Sequence, residues 1–202
     1  KAVGADAALV VCPYYNNPNQ EGLEAHFRAI NDSVALPVLL YNVPGRTVVD
    51  LAPDTVARLA QLPNIVGIKD ATGDMDRVSQ HAASIPEGTQ FVQLSGDDPS
   101  ALGHLAMGGM GCISVTANVM PEACAAVHTA FHAGNLDEAR AIERKLIALH
   151  KAMFCSPSPG PAKYALFRLG LCTDEVRLPI TTPSAEKRAE IDQAMALAGL
   201  SA

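Results

Sequence analysis

Short apolar runs of five or six residues recur along the first 115 positions, at Ala7–Cys12, Pro37–Tyr41, Asn64–Ile68, Gln90–Leu94 and Gly111–Val115. Their length and content of valine, leucine and isoleucine predict buried strands. Their starts lie about 21 to 30 residues apart, and the stretches between them carry apolar residues at helical spacing. Gln20–Asp32 places Leu23, Phe27 and Ile30 on one face. Pro53-Asp54 opens the next helix, with proline where a first helical turn tolerates it. Asp74 before Met75–Ala83 and Asp97/Asp98 before Pro99–Met107 are placed as N-caps. Strand–helix alternation at this pitch means βα units and a parallel sheet.

After the fifth strand the alternation ends. Pro121–Ala133, Leu136–Met153, Pro161–Leu169 and Ser184–Leu200 all read as helices, with Ser156-Pro-Ser-Pro-Gly-Pro161 as a stiff connection among them. Lys1-Ala-Val-Gly4 has the pattern of a last helical turn and its glycine C-cap. The expectation is therefore a chain that starts in the middle of a fold. Five βα units are too few to close an eight-stranded barrel, and a complete five-stranded open sheet is the other architecture compatible with the pattern.

Composition narrows the function classes. The chain has 202 residues, 49% hydrophobic, with a net charge of −6 and a pI near 5.4. An acidic balance disfavours nucleic acid or an anionic membrane as partner. No apolar stretch reaches the roughly 18 residues of a membrane span, and no secretory signal opens the chain. Five cysteines (Cys12, Cys112, Cys124, Cys155, Cys172) show no C-x-x-C pairing. They are expected to be reduced thiols of a cytoplasmic protein. His128 and His132 have metal-compatible i, i+4 spacing, but Thr-Ala-Phe between them supplies no acid, and a plain helix face is expected.

Chemistry collects at the strand ends, where parallel α/β folds carry their sites. Lys69 ends the third run and is the only lysine between Lys1 and Lys145. An ammonium among dry neighbours is driven toward its neutral form, and a neutral amine attacks carbonyls to form a Schiff base. A strand-end lysine reaching for solvent is the bland alternative. Three of the four tyrosines, Tyr14, Tyr15 and Tyr41, sit at strand ends, and a phenol at Tyr41 can relay the protons that such chemistry moves. Arg46 and Thr47 are placed in a loop over the same face, where a guanidinium suits a carboxylate. Gly96 and the backbone near Ile113 admit a small acid close to the main chain. Equally, Tyr14 serves as a core cap, Arg46 as a partner of Asp50, and Ser95-Gly-Asp-Asp98 as a turn.

Five segments then fall in order: Pro13-Tyr-Tyr-Asn-Asn-Pro18, Tyr41-Asn-Val-Pro-Gly-Arg-Thr47, Gly67-Ile-Lys-Asp-Ala-Thr-Gly73, Leu94-Ser-Gly-Asp-Asp98 and Gly111-Cys-Ile-Ser-Val-Thr-Ala-Asn118. Together they resemble the dihydrodipicolinate synthase family of pyruvate-dependent class I aldolases, over the family's C-terminal two thirds. The resemblance implies an α/β fold, a TIM (β/α)8 barrel of which strands 4–8 are present, with a C-terminal helical extension. Residues 1–120 would be the C-terminal part of the barrel, and 121–202 the last barrel helix and the helical region. It also implies a lyase that condenses pyruvate with aspartate 4-semialdehyde in diaminopimelate and lysine biosynthesis.

The roles it implies are these. Lys69 forms the pyruvate Schiff base, Tyr41 relays protons, and Tyr15 reaches into a partner subunit's relay. Arg46 holds the semialdehyde carboxylate, Ile113 and Gly96 lie beside pyruvate, and Tyr14 borders a cleft for lysine as feedback inhibitor. No metal or separate cofactor is implied, and the assembly would be a homo-oligomeric dimer of dimers. The family's first three βα units, with a Gly-Thr-Thr-Gly-Glu segment that joins its tyrosine relay, have no counterpart here. The strand at Ala7–Cys12 is accordingly expected to leave an exposed sheet edge. Alternatives are a lyase of 2-keto-3-deoxy sugar acids or sialic acid, which Arg46 disfavours, and an inactive remnant that binds full-length homologues.

Overall fold

The computed structural model describes residues 1–200. Five strands, β1 (Ala8–Val11), β2 (Val38–Asn42), β3 (Ile65–Asp70), β4 (Val92–Ser95) and β5 (Gly111–Cys112), form one all-parallel sheet in the order β1-β2-β3-β4-β5. Each crossover steps the same way, and right-handed crossovers then put the main helix of each on the same face, the short turn of helix at residues 44–47 lying at the strand ends instead. An open doubly wound sheet reverses its order at a switch point; this one never does. The winding is that of a (β/α)8 barrel wall, with β1 and β5 as its edges among the described residues.

The connecting helices are α1 (Gln20–Ser33), α2 (Pro44–Thr47), α3 (Pro53–Leu59), α4 (Asp76–Ser84) and α5 (Ala101–Ala106). Helix α1 starts where Asn19 accepts a hydrogen bond from the Gly22 amide at 2.9 Å. Its Leu23 and Phe27, one turn apart, are fully buried and pack with Val38, Leu40 and Ile68 of the sheet and Val56 and Leu59 of α3. Burying each such side chain contributes about 1.5–3 kcal/mol. The crossover argument puts none of α1, α3, α4 and α5 over the opposite face of the sheet. There the intervening positions Leu9, Val11, Leu39, Tyr41, Lys69 and Leu94 are only partly buried or exposed.

Local detail departs from the sequence reading in four places. Residues 44–47 form the short helix α2 instead of a loop, with Pro44 at its first position. Asp74 does not cap α4: its carboxylate accepts from the Asp76 amide at 2.9 Å, and the helix begins at Asp76. Asp97 caps a 3-10 turn (Asp98–Ser100) that precedes α5. Strand β5 stops at Cys112, because Thr116–Asn118 coil into another 3-10 turn.

The chain divides into two compact units, Lys1–Ile113 and Ser114–Ala202, so the break falls ahead of the 120/121 boundary read from sequence. The second unit contains α6 (Pro121–His132), α7 (Leu136–Ala152), α8 (Gly160–Arg168) and α9 (Ala185–Leu197). Asn135 and Ser184 cap α7 and α9. Leu149, Met153, Tyr164, Ile191 and Met195 form its core. Inside it, the Thr116 hydroxyl lies 2.7 Å from His150 Nδ1, and Glu143 lies 3.3 Å from His150 Nε2. Among the described residues no helix is long and apolar enough to cross a membrane.

Candidate active site

Parallel pairing sets Val11 beside Tyr41, Tyr41 beside Lys69, and Lys69 beside Leu94. Strand alternation turns this row toward the uncovered face. Backbone bonds continue the ladder past the strand ends: Cys12 donates to Tyr41 (3.1 Å), Ala71 to Asn42 (2.8 Å), Gly96 to Asp70 (2.7 Å) and Ile113 to Ser95 (2.9 Å). The ends of all five strands are thereby held level with one another.

Lys69 Nζ sits 4.4 Å from the centroid of the Tyr41 ring. The aromatic face shields the amine from water, and burial pushes its pKa below the ordinary 10.5, partly offset by nearby Cys112 and Asp98. Gly96 has a role that the sequence did not show. A Cβ there would lie 2.8 Å from Lys69 Cε and 2.8 Å from the Ala71 side chain. The glycine makes room for the lysine side chain.

Arg46 projects from α2 in an exposed position and makes no ion pair among the described residues. The alternative partner, Asp50, is taken by Arg77. Thr47 is buried, and its hydroxyl donates to the Val49 carbonyl at 2.8 Å with the Val43 carbonyl 3.1 Å away, so it braces α2. Val48 follows with φ +62°, a left-handed conformation that costs a β-branched residue energy.

Tyr14, Tyr41, Arg46 and Thr47, with Leu9 and Val11, line an open cavity of about 480 Å³. Tyr15 is 94% exposed and is not brought to Lys69. Ile113 lies at the end of β5, 37% exposed. A larger cavity of about 880 Å³ opens at the N-terminal ends of the strands, but Leu62, Phe91, Met110 and their neighbours bring no titratable group to it. His128 and His132 belong to no group of three or more metal-ligating side chains among the described residues.

Sequence reasoning missed the layer behind the pair. Asn42, fully buried, donates from Nδ2 to Asp50 (2.9 Å) and Asp70 (3.3 Å), and its Oδ1 accepts from the Leu51 amide (3.0 Å). Asp70 also accepts from the Thr72 amide at 2.8 Å, and Arg77 donates to Asp50 and to the Leu51 carbonyl. The available signal was a polar residue at the end of each of two strands, Asn42 and Asp70, at positions where strand alternation demands burial.

Comparison with known proteins agrees with this geometry. Residues 1–198 match the dihydrodipicolinate synthetase family. A 4-hydroxy-tetrahydrodipicolinate synthase of Hyphomonas neptunium is 78% identical over 200 residues, spanning 99% of this chain and 68% of the relative. The chloride-inhibited dihydrodipicolinate synthase of Acinetobacter baumannii, solved in complex with pyruvate, superposes with a TM-score of 0.92 at 45% identity, covering 98% of this chain and 67% of that one. The Cyanidioschyzon merolae enzyme with lysine bound gives 0.93 at 37% identity, over 98% and 67%. The chain belongs to the dihydrodipicolinate synthetase family, lyases of diaminopimelate and lysine biosynthesis.

Proposed function

We propose that Lys69 is the imine-forming lysine of a 4-hydroxy-tetrahydrodipicolinate synthase, which condenses pyruvate with L-aspartate 4-semialdehyde. The observation that carries this reading is a single desolvated amine set over a phenol at the carboxyl ends of a barrel wall. The neutral Nζ attacks C2 of pyruvate to give a carbinolamine, which loses water to an imine. The protonated imine is the electron sink that lets C3 release a proton, so the reaction needs no metal or bound cofactor. The resulting enamine attacks the aldehyde carbon of the semialdehyde, whose oxygen takes up a proton. The amine of that product then displaces Lys69 and closes the ring.

Tyr41 is the group placed to pass protons to and from these species. Arg46, exposed at the cavity wall, is suited to the carboxylate of the semialdehyde. Tyr15, reaching away from its own site, fits a role in a neighbouring subunit of a dimer of dimers. Tyr14 fits the border of a cleft for lysine as feedback ligand. Cysteines such as the buried Cys12, outside any disulfide, support a reducing, cytoplasmic setting.

The test is incubation with pyruvate and borohydride, followed by intact mass and peptide mapping. An adduct on Lys69, abolished by Lys69→Ala, is the expected result. Its rate should rise with pH to a half-point below 10.5, because the lowered pKa frees the amine earlier. An adduct elsewhere, or none, overturns the proposal.

A further inference from the structure

We infer that Asn42 is a positioning residue for this chemistry, an amide that ties the ends of β2 and β3 together behind the Tyr41–Lys69 pair. The inference rests on the reading of Lys69 as the imine-forming lysine and goes beyond it. Tyr41 pairs with Lys69 on the uncovered face, and one residue on, Asn42 pairs with Asp70 on the covered face. Consecutive strand residues point to opposite faces. Any twist of β2 that moves the amide of Asn42 therefore also swings the Tyr41 ring relative to Nζ.

The amide is held from three sides. Both bonds from Nδ2 go to carboxylates, Asp50 Oδ1 and Asp70 Oδ2, and Oδ1 receives the Leu51 amide. Each of its partners is fixed in turn. Asp70 is held by the Thr72 backbone at the end of β3, and Asp50 and the Leu51 carbonyl by Arg77 of α4. A network of matched donors and acceptors, buried at Asn42 and Asp70 and open at Asp50, is directional in a way that apolar packing is not. It fixes the β2–β3 register at the point where register decides the amine–phenol distance. Through Asp50 and Leu51 it also fixes the segment that leaves α2, the helix of Arg46. Displacements of about 1 Å in such pairs are known to cost of the order of a hundredfold in rate.

Asn42 touches no reacting atom, so its effect has to be read on the reacting pair. Asn42→Asp keeps the shape and replaces the donor with an acceptor facing two carboxylates. Two rates per folded molecule are measured: exchange of the pyruvate methyl protons in D2O, which needs imine and enamine but no second substrate, and borohydride trapping on Lys69. The thermal midpoint is recorded alongside. The expected result is exchange slowed about tenfold or more, with the adduct still mapping to Lys69. Asn42→Asp combined with Asp70→Asn restores a donor–acceptor pair across the same gap and should regain most of the loss.

A merely structural Asn42 would lower the thermal midpoint and leave exchange per folded molecule at the wild-type rate. That result overturns the inference, as does a folded double variant that stays as slow as the single one. If Asn42→Asp does not fold, Asp50→Asn serves instead, since the Asp50 side chain is 40% exposed. About threefold slower exchange is then expected, and an unchanged rate is overturning. A wild-type protein that gives no adduct on Lys69 sinks the functional reading and the inference with it. A wild-type adduct with unaffected variants sinks the inference alone.

Discussion

The two faces of the sheet are built from the same strands, one residue out of step, yet they solve opposite problems. On the covered face Leu40 and Ile68 are fully buried, and polar Asn42 and Asp70 are admitted only with their hydrogen bonds made. On the uncovered face the corresponding positions are Leu9, Leu39, Tyr41 and Lys69, none of them fully buried. Stability is concentrated on the first face, and the amine and phenol proposed to do the chemistry stand on the second. A lysine can keep a lowered pKa on the second because the Tyr41 ring shields it while the backbone beneath it is held from behind.

The sharpest way to break this comparison is to remove the same atoms from each side. Leu40→Ala leaves a cavity among α1, α3 and the sheet and should destabilise by about 2–5 kcal/mol. Leu9→Ala, at a side chain 45% exposed, should cost about 0.5 kcal/mol or less. Urea denaturation of the two variants measures the difference. Similar losses would mean that the uncovered face is packed as tightly as the other.

Next in size is Gly96→Ala, which carries bulk from one β-strand end into the path of Lys69. The new methyl would meet Lys69 Cε and the Ala71 Cβ at 2.8 Å. The lysine chain can bend away, but the Ala71 Cβ is fixed to backbone. We expect about 1–3 kcal/mol of overpacking and a larger relative effect on function, with pyruvate trapping slowed about tenfold. Unchanged trapping, measured by quenched mass spectrometry, would show that Lys69 does not need the space above Gly96.

Much of this was legible in the sequence for physical reasons. The five strands and the long helices follow from apolar period, a local property, whereas the caps did not: Asp74 does not cap α4, Asp97 caps a 3-10 turn, and Asn19, Asn135 and Ser184 emerge as caps only in the structure. Lys69, Tyr41 and Arg46 could be named as candidates because they gather at strand ends, where parallel α/β folds carry their sites. What stayed hidden depends on tertiary neighbours. That Gly96 also clears the path of Lys69, and that the Thr47 hydroxyl also bonds to backbone flanking α2, shows only once the neighbours are in place. Helix α2 spans only Pro44–Thr47, too short for any periodicity to announce it. Asn42 was passed over because its three partners lie at positions 50, 51 and 70, brought together by the sheet alone.

The smallest expected effect is in the pH dependence of stability, and it separates the faces by sign and range. On the covered side, burial lowers the pKa of His81, with its Gln93 bond opposing, and of His104, with Asp70 opposing. Unfolded histidine takes up a proton near 6.5, whereas the folded chain resists it. The stability contributed by the neutral rings is therefore whole above about pH 6.5 and declines as pH falls from there through the folded values. Lys69 acts at the other end. Its lowered pKa means that the unfolded chain keeps a proton the folded one has released, so its penalty is full at neutral pH and is relieved as pH rises from the folded value toward 10.5. Solvent access makes this second term the weaker. Urea midpoints measured from about pH 5 upward should show an acid-side slope that His81→Gln reduces and Lys69→Met does not. If Lys69→Met instead flattens the acid side, the assignment of burial to one face and chemistry to the other fails.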